Sequence, residues 1–411
     1  MGLLSINNKN KKIHLVIAGS MMVLNTFAFQ NCSSRKFESE ISSSLDNTSA
    51  AITQPTSGTS PVVVQLPVVT PPVTPVGNTK TVFIASGHMG RTVMSCDDGK
   101  SWINDRSDND TARCWVEKTN PNYVECDHTP YTARGLDFSG GYFYTNHGWG
   151  VGGDVKKSID GKNWQIIQAG KWGGGIAAFG KETVFRYAEG GNWYRTTNQG
   201  VSWVNLTDQQ LGFNGNQFDH PSVKRTNNKI YVIGRTPGLA ISLNQGESWS
   251  YVAGFLPEYG NVGIAEGNGV IVSTGNGSGI AYVGRSLDNG QTWSAIQLGS
   301  KISKIIFNGS HFITWGDGKT YKSTDGLIWT ITQTKVDGVN APVWLTMATA
   351  YNATTGTYAG VVNVFASGYE KQKFYRSTDG VNWTTLEPTK FKGGHPISYM
   401  VTGEIDAAYC P

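Results

Sequence analysis

SLDNGQTW, Ser286–Trp293, is the stretch from which the rest of the chain is read. It has the composition of a tight turn. Asp288 is placed to fold its carboxylate back onto backbone N–H groups, with Ser286 and Thr292 as further short-range partners. Gly290 stands where the chain needs a positive φ, which glycine adopts without steric cost. Trp293 begins the next strand and offers a large ring for burial, worth roughly 2–3 kcal/mol if fully enclosed. The pattern recurs six times: SCDDGKSW ending at Trp102, SIDGKNW at Trp164, TNQGVSW at Trp203, SLNQGESW at Trp249, STDGLIW at Trp329 and STDGVNW at Trp383. Asn198 and Asn244 replace Asp in two copies, and the copies at Asp160, Asp325 and Asp379 are one residue shorter.

These seven turns resemble the Asp-box, or bacterial neuraminidase repeat, of sialidase-like β-propellers. The resemblance covers residues 79–411 and speaks to fold more than to activity. It implies that the seven Asp and Asn residues are structural and lie far from the ligand site. The Trp residues stand between 36 and 62 residues apart, mostly the length of a four-stranded blade, and the two longest gaps are expected to hold insertions.

Each unit reads as a strand A, an apolar strand B, a strand C entering the turn and a strand D starting at its Trp. Blade 6 gives ISKIIFNGS, HFITWGDG, KTYKSTDG and IWTITQT, with apolar and polar residues alternating in TYKS and WTIT. Blade 1 has only TVFIASG and RTVMS ahead of its turn. HPISYMVTGE, residues 395–404, supplies the missing strand A, so the C-terminal strand is expected to close the first blade and remove an open edge. The expected fold is all-β: a seven-bladed β-propeller preceded by a signal peptide and a disordered linker.

Composition agrees with many turns and little surface charge. The chain has 51 Gly, 13 Trp and 16% charged residues, with a formal net charge of +4. No basic cluster in the repeat region tracks phosphates, so no nucleic-acid partner is expected. Residues 1–32 read as an export signal: Lys9, Lys11 and Lys12 precede an apolar run from Ile13 to Phe29. That run is marginal for a membrane span and is interrupted by Asn25 and Thr26. FAFQNC ends at Cys32 and resembles a lipoprotein lipobox, with Phe29, Gln30 and Asn31 in place of the usual Leu and small residues. Lipidation of Cys32 is the expectation, cleavage after Ala28 the alternative. Residues 33–78, rich in Ser, Thr and Pro, read as an extended linker. The expected location is the bacterial outer membrane or cell surface through a lipid anchor, with a periplasmic or secreted chain as the alternative.

The insertion INDRSDNDTARCWVEKTNPNYVECDHTPYTARGLDF, residues 103–138, carries Cys114 and Cys126. In an exported chain they are expected to pair and pin the loop. Cys96 and Cys410 form a second candidate pair, because ring closure brings their segments together. A zinc site from Cys114, Cys126 and His128 lacks a CxxC pair, so neither metal nor cofactor is expected.

The repeat turns are C–D turns and mark the back of the propeller; B–C loops and D–A connectors mark the front. His311 falls at the back. His88, His128, His147, His220 and His395 fall at the front, with Arg91, Arg134, Trp149, Trp172, Asp219, Arg235, Glu258, Tyr259, Trp344 and Glu370 there or at its margin. Three functions compete. A sialidase needs an arginine triad, a Tyr–Glu pair and an acid Asp. The family's Arg-Ile-Pro motif is absent, since Arg91 is followed by Thr and Val and Arg186 by Tyr and Ala, and seven blades depart from the usual six. A polysaccharide lyase-like enzyme could draw on His128, Arg134 and His147, because His suits proton transfer near neutral pH. A non-catalytic module binding a glycan or a cell-surface protein needs no complete catalytic set and ranks first, with a monomer expected. Its ligand is expected on the blade 1 and blade 2 loops, at His88, Arg91, His128, Arg134, His147 and Trp149, and His220 is a further binding candidate on the same face.

Overall fold

A computed structural model describes residues 78–87, 91–106, 114–117, 120–126, 132–148, 154–170, 173–188, 191–213, 222–233, 238–253, 261–277, 280–341, 348–364, 371–386 and 397–411. Residues 1–77, and with them the expected signal, Cys32 and nearly all of the linker, lie outside the described residues. The rest is a seven-bladed, all-β propeller.

Each blade is an antiparallel sheet. Blade 1 contains β1 (Thr79–Gly87), β2 (Thr92–Ser95) and β3 (Ile103–Arg106). A hairpin of β4 (Cys114–Glu117) and β5 (Asn120–Cys126) follows. Blade 2 is β6 (Thr132–Ser139), β7 (Tyr142–Gly148), β8 (Val155–Ser158) and β9 (Gln165–Gln168). Blade 3 is β10 (Gly173–Phe179), β11 (Thr183–Ala188), β12 (Asn192–Thr196) and β13 (Val204–Leu206). Blade 4 is β14 (Ser222–Thr226), β15 (Lys229–Ile233), β16 (Gly238–Ser242) and β17 (Ser250–Ala253). Blade 5 is β18 (Asn261–Gly267), β19 (Val270–Gly277), β20 (Ile280–Ser286) and β21 (Ser294–Gln297). Blade 6 is β22 (Ile306–Phe307), β23 (Phe312–Gly316), β24 (Lys319–Ser323) and β25 (Thr330–Gln333). A second hairpin, β26 (Lys335–Val336) and β27 (Val339–Asn340), precedes blade 7: β28 (Ala348–Asn352), β29 (Thr357–Val364), β30 (Lys371–Ser377) and β31 (Asn382–Leu386). The last strand is β32 (Ile397–Asp406). The two hairpins occupy the two longest gaps between repeat tryptophans. β26 lies parallel to β31 on the outer edge of blade 7, pairing Val336 with Trp383.

β32 pairs antiparallel with β1 from Thr79↔Asp406 to Gly87↔Ile397, giving blade 1 its inner strand. A Cys96–Cys410 disulfide spans 314 residues across the same closure, and Ala407 N–H donates to the Asn78 carbonyl at 2.8 Å. Asp98 seals the joint between blades 7 and 1. It accepts from Thr355 Oγ1 and Thr357 Oγ1 at 2.6 Å each, from Arg376 Nη2 at 2.6 Å and from Asn352 Nδ2 at 3.0 Å. Burial pushes its carboxyl upward, but these hydrogen bonds outweigh it and hold it below the usual carboxylate value.

The core is divided into seven apolar clusters, one at each joint between neighbouring blades. Seven joints for seven blades is the signature of a closed ring; an open row would have six. The cluster joining blade 7 to blade 1 packs Phe83, Ala348, Phe374, Ile397 and Met400.

The repeat turns behave as their residues dictate. In Ser286–Trp293, Ser286 Oγ donates to Asp288 Oδ1 at 2.8 Å and accepts from Gly290 N–H at 2.8 Å. Thr292 donates twice, from N–H to Asp288 Oδ1 at 2.8 Å and from Oγ1 to Oδ2 at 2.6 Å. Gly290 has φ +87°. In the four longer copies the residue before the glycine also has positive φ: Asp98, Gln199, Gln245 and Asn289. The three short copies omit that residue and keep the glycine at about the same φ, Gly161, Gly326 and Gly380 at +70° to +72°. Where Asn replaces Asp the polarity of one bond reverses: Asn198 Nδ2 donates to Ser202 Oγ at 2.9 Å and Asn244 Nδ2 to Ser248 Oγ at 3.0 Å. Each turn also leans on the preceding blade. A Cβ on Gly290 would lie 2.8 Å from Ile241 Cδ1, and one on Gly161 would lie 2.4 Å from Ile84 Cδ1.

Two expectations are corrected. The turn tryptophans are mostly half-buried: Trp383 is 2% exposed, but Trp293 only packs onto the edge of its cluster, and the largest enclosed rings are Trp193 and Trp315. Trp293 therefore falls short of the full burial value. In blade 6 the expected strand ISKIIFNGS forms a ladder only at Ile306–Phe307. Ahead of it, the Asn276 side chain takes the place of a neighbouring strand, accepting from Ile302 N–H and donating to the Ile302 carbonyl, both at 2.8 Å.

Candidate functional site

The end of the ring opposite the repeat turns is reached by the B–C loops and D–A connectors. At blade 2 the backbone places two of the sequence candidates side by side. His147 on β7 pairs with Ala133 on β6, and the register shifts between Ala133 and Gly135, so Arg134 sits in a bulge facing that pair. His88, His128, Trp149 and His220 lie outside the described residues, as do Trp172, Asp219, Arg235, Glu258, Tyr259, Trp344, Glu370 and His395. Arg91 enters β2, is 1% exposed, and its carbonyl accepts from Gly87 N–H at 2.9 Å. His311 lies in the β22–β23 turn at the back, where Ser310 Oγ and its Nδ1 are 2.8 Å apart.

Behind this corner a polar network fills the joint between blades 2 and 3. Asn146, next to His147, donates through Nδ2 to the Gly174 carbonyl at 2.7 Å and the Tyr187 carbonyl at 3.3 Å, and among the described residues no group donates to its buried Oδ1. Arg186 on β11 is fully buried and donates to Gln168 Oε1 at 2.9 Å. Burial brings its guanidinium down to about 10, against the opposing pull of Tyr194 and Asp154. Asp154 accepts from Gly170 N–H at 3.2 Å. The network is built into the strand that carries His147, and so fixes the backbone of that corner. Sequence reading passed over Asn146 and used Arg186 only as a negative. A polar residue in the apolar run YFYTNHG and an Arg in TVFRYA were the available signals.

Cys114 and Cys126 face one another in the β4–β5 ladder, the register a cross-strand bond requires. Among the described residues no group of three or more His, Cys, Asp or Glu side chains converges in a way that could hold a metal ion.

No protein-family model matches the chain, and no curated protein matches it. Solved structures with a similar course include YCF48 from Cyanidioschyzon merolae, 14% identical over 64% of this chain and 87% of that one, with a TM-score of 0.46. YCF48 bound to a D1 peptide aligns with a TM-score of 0.42 at 14% identity, over 64% of this chain and 85% of that one. A functionally unknown protein from Desulfotomaculum acetoxidans aligns over 78% of this chain and 99% of that one, at 8% identity and a TM-score of 0.48. The chain's own seven blades and seven joints are what make it a β-propeller.

Proposed function

We propose that this chain is an exported, lipid-anchored binding propeller of the sialidase-like Asp-box type. In this reading it takes a glycan or a cell-surface protein on the face opposite its repeat turns. One observation carries the reading. In every repeat turn the Asp or Asn oxygen is already held by donors within the turn itself, from Ser101 on Asp97 to Asn382 on Asp379. Those groups are spent on structure, so ligand chemistry is left to the other end.

The chain also enters the ring at the back. β1 is a strand B, and its first residue, Thr79, pairs with Asp406, the last residue of strand A. A tether running from Cys32 through residues 33–78 joins the ring at the repeat-turn end, and the front is the end farthest from that attachment. Arg134 and His147 then stand at the binding corner, with His88, Arg91, His128, Trp149 and His220 as its surroundings.

The test combines a glycan array with polysaccharide turnover on residues 79–411. Binding without turnover is the expected result, and Arg134→Ala and His147→Ala should each abolish it with the melting temperature unchanged. Formation of unsaturated product would make the chain a lyase acting through His128, Arg134 and His147; released sialic acid would make it a sialidase. Binding that survives both substitutions would place the site elsewhere. Metabolic labelling with an alkyne fatty acid, lost on Cys32→Ser, tests the anchor.

A further inference from the structure

The inner strands carry charges for which the front face has no use. Asp137 on β6 and Arg225 on β14 form a two-pronged pair, Nε to Oδ2 at 2.7 Å and Nη2 to Oδ1 at 2.8 Å. The pair reaches across β10, whose Ala178 N–H also donates to Asp137 Oδ2 at 2.8 Å. It pins the inner strands of blades 2, 3 and 4. Side chains on β14 alternate. Val223 and Arg225 lean toward blade 3, Val223 against Gly175. Lys224 and Thr226 therefore lean toward blade 5, where Thr226 Oγ1 donates to Glu266 Oε2 at 2.7 Å.

Blade 5 presents no side chain opposite Lys224's neighbour in blade 6. Gly263 on β18 forms a notch: a Cβ there would lie 3.3 Å from Lys304 Cγ and 2.9 Å from the Ile305 nitrogen. Lys304 packs over this notch from blade 6, and Lys224, on the side of β14 that faces blade 5, is close enough for the Lys304 charge to act on it. Both are enclosed by the ring yet keep part of their surface exposed, as side chains lining an internal passage do. Each senses its surroundings. Burial and the Lys304 ammonium bring Lys224 down to about 8; burial lowers Lys304 as well, and the Asp137 carboxylate opposes that.

Charge does not balance here. Asp137 is held by Arg225, and Glu266 by Thr226 and Lys229. Among the described residues no carboxylate lies within ion-pair distance of Lys224 or Lys304. Among the described residues, three cations, Arg225, Lys224 and Lys304, stand against the one carboxylate of Asp137, an excess of two positive charges.

We propose that the passage inside the ring binds a doubly charged tetrahedral oxyanion, phosphate or sulfate, between Lys224 and Lys304. Two ammonium groups with three rotatable donors each can wrap a tetrahedral anion without the planar fork that a carboxylate favours. A dianion also cancels the excess charge.

The test uses the full chain freed of phosphate. Its melting temperature and calorimetric heat are followed on titration with sodium sulfate, inorganic phosphate and glucose 6-phosphate, against sodium chloride at matched ionic strength. A saturable response to the dianions beyond that of chloride is expected. It should weaken at least about tenfold in Lys224→Met and in Lys304→Met, while Lys100→Met, on an exposed turn, leaves it intact. Tighter binding of inorganic phosphate than of the ester identifies a free ion; the reverse identifies a group carried on a larger ligand. Without anion both channel variants should melt no lower than the parent, because a like-charge contact has been removed. A parent that shows no saturable response, or variants that bind as the parent does, would overturn the proposal.

Discussion

Replacing Cys410 with Ser isolates what the disulfide adds to ring closure. The bond joins residues 314 apart, and chain entropy for a loop of that size predicts about 6 kcal/mol, slightly above the roughly 0–5 kcal/mol such bonds deliver. The effect acts on the unfolded chain, so the folded ring should persist: β32 still pairs with all nine residues of β1, and Ile397, Met400 and Ile405 stay buried. For a ring of residues 79–411 the unfolding entropy is about 0.7 kcal/mol/K, which turns the loss into a fall of roughly 7–9 °C in melting temperature. Tryptophan fluorescence and scanning calorimetry, each with and without reductant, provide the measurement. With reductant present, Cys410→Ser should melt where the reduced parent melts, with an unchanged circular dichroism spectrum. Deletion of residues 397–411 should abolish the cooperative transition, since it removes the strand as well as the bond. If reduction and Cys410→Ser both leave the midpoint within about one degree of the oxidised parent, the bond does not constrain the unfolded chain and the reasoning fails.

Acid should act through the repeat turns. Thr292 Oγ1 and N–H hold the Asp288 carboxyl down at about 2, and hydrogen bonds also depress Asp97, Asp160, Asp325 and Asp379. Their contribution is complete above the unfolded value of 3.8 and is lost as pH falls through the folded values, so acid unfolding should steepen below about pH 4. Asp288→Asn should flatten that dependence in an acid titration while changing neutral stability little, as Asn198 and Asn244 already do the same work. Gly290→Ala should cost about 2–4 kcal/mol in urea melts from positive φ and the clash with Ile241, whereas Gly269→Ala, at φ +72° with open space around it, should cost about 1. Asp98→Ala strips four donors of their acceptor at the joint of blades 7 and 1 and should destabilise by roughly 2 kcal/mol, more than Asp97→Asn. Non-reducing peptide mapping should find Cys114 joined to Cys126; a free thiol at either position refutes that pairing.

Local chemistry is what the sequence displayed most openly. A turn made of Ser, Asp and Gly announces itself because its bonds are short-range, and repetition then implied blades, a ring and a closing strand. Even the Cys96–Cys410 pair followed from closure. Long-range chemistry was harder to see. Arg195, Arg285, Lys322 and Arg376, each just ahead of a turn's Ser or Thr, donate to a carbonyl in the next blade's turn. The repeated Arg or Lys before Ser or Thr was visible, but its partner lies 40 or more residues away. The β26–β27 hairpin has strands of two residues, too short to carry a pattern. Asp137, Lys224 and Lys304 stand in no motif of the sequence, because only the ring turns their strands inward. At the front, the backbone brought Arg134 and His147 together, which spacing alone could not show.

The placement of β1 also governs how the ring bears a mechanical load. A pull on the chain ahead of Thr79 enters a strand hydrogen-bonded on both sides, by β2 and by β32. Pulled along its own axis, β1 slides against both neighbours at once, so many hydrogen bonds share the force instead of opening one by one. The Cys96–Cys410 bond ties those two neighbours to each other, β2 through the turn that follows it and β32 through the segment beyond it. A ring hung from this point should resist extraction far better than one held by a terminal edge strand, and reduction should lower the rupture force in single-molecule pulling.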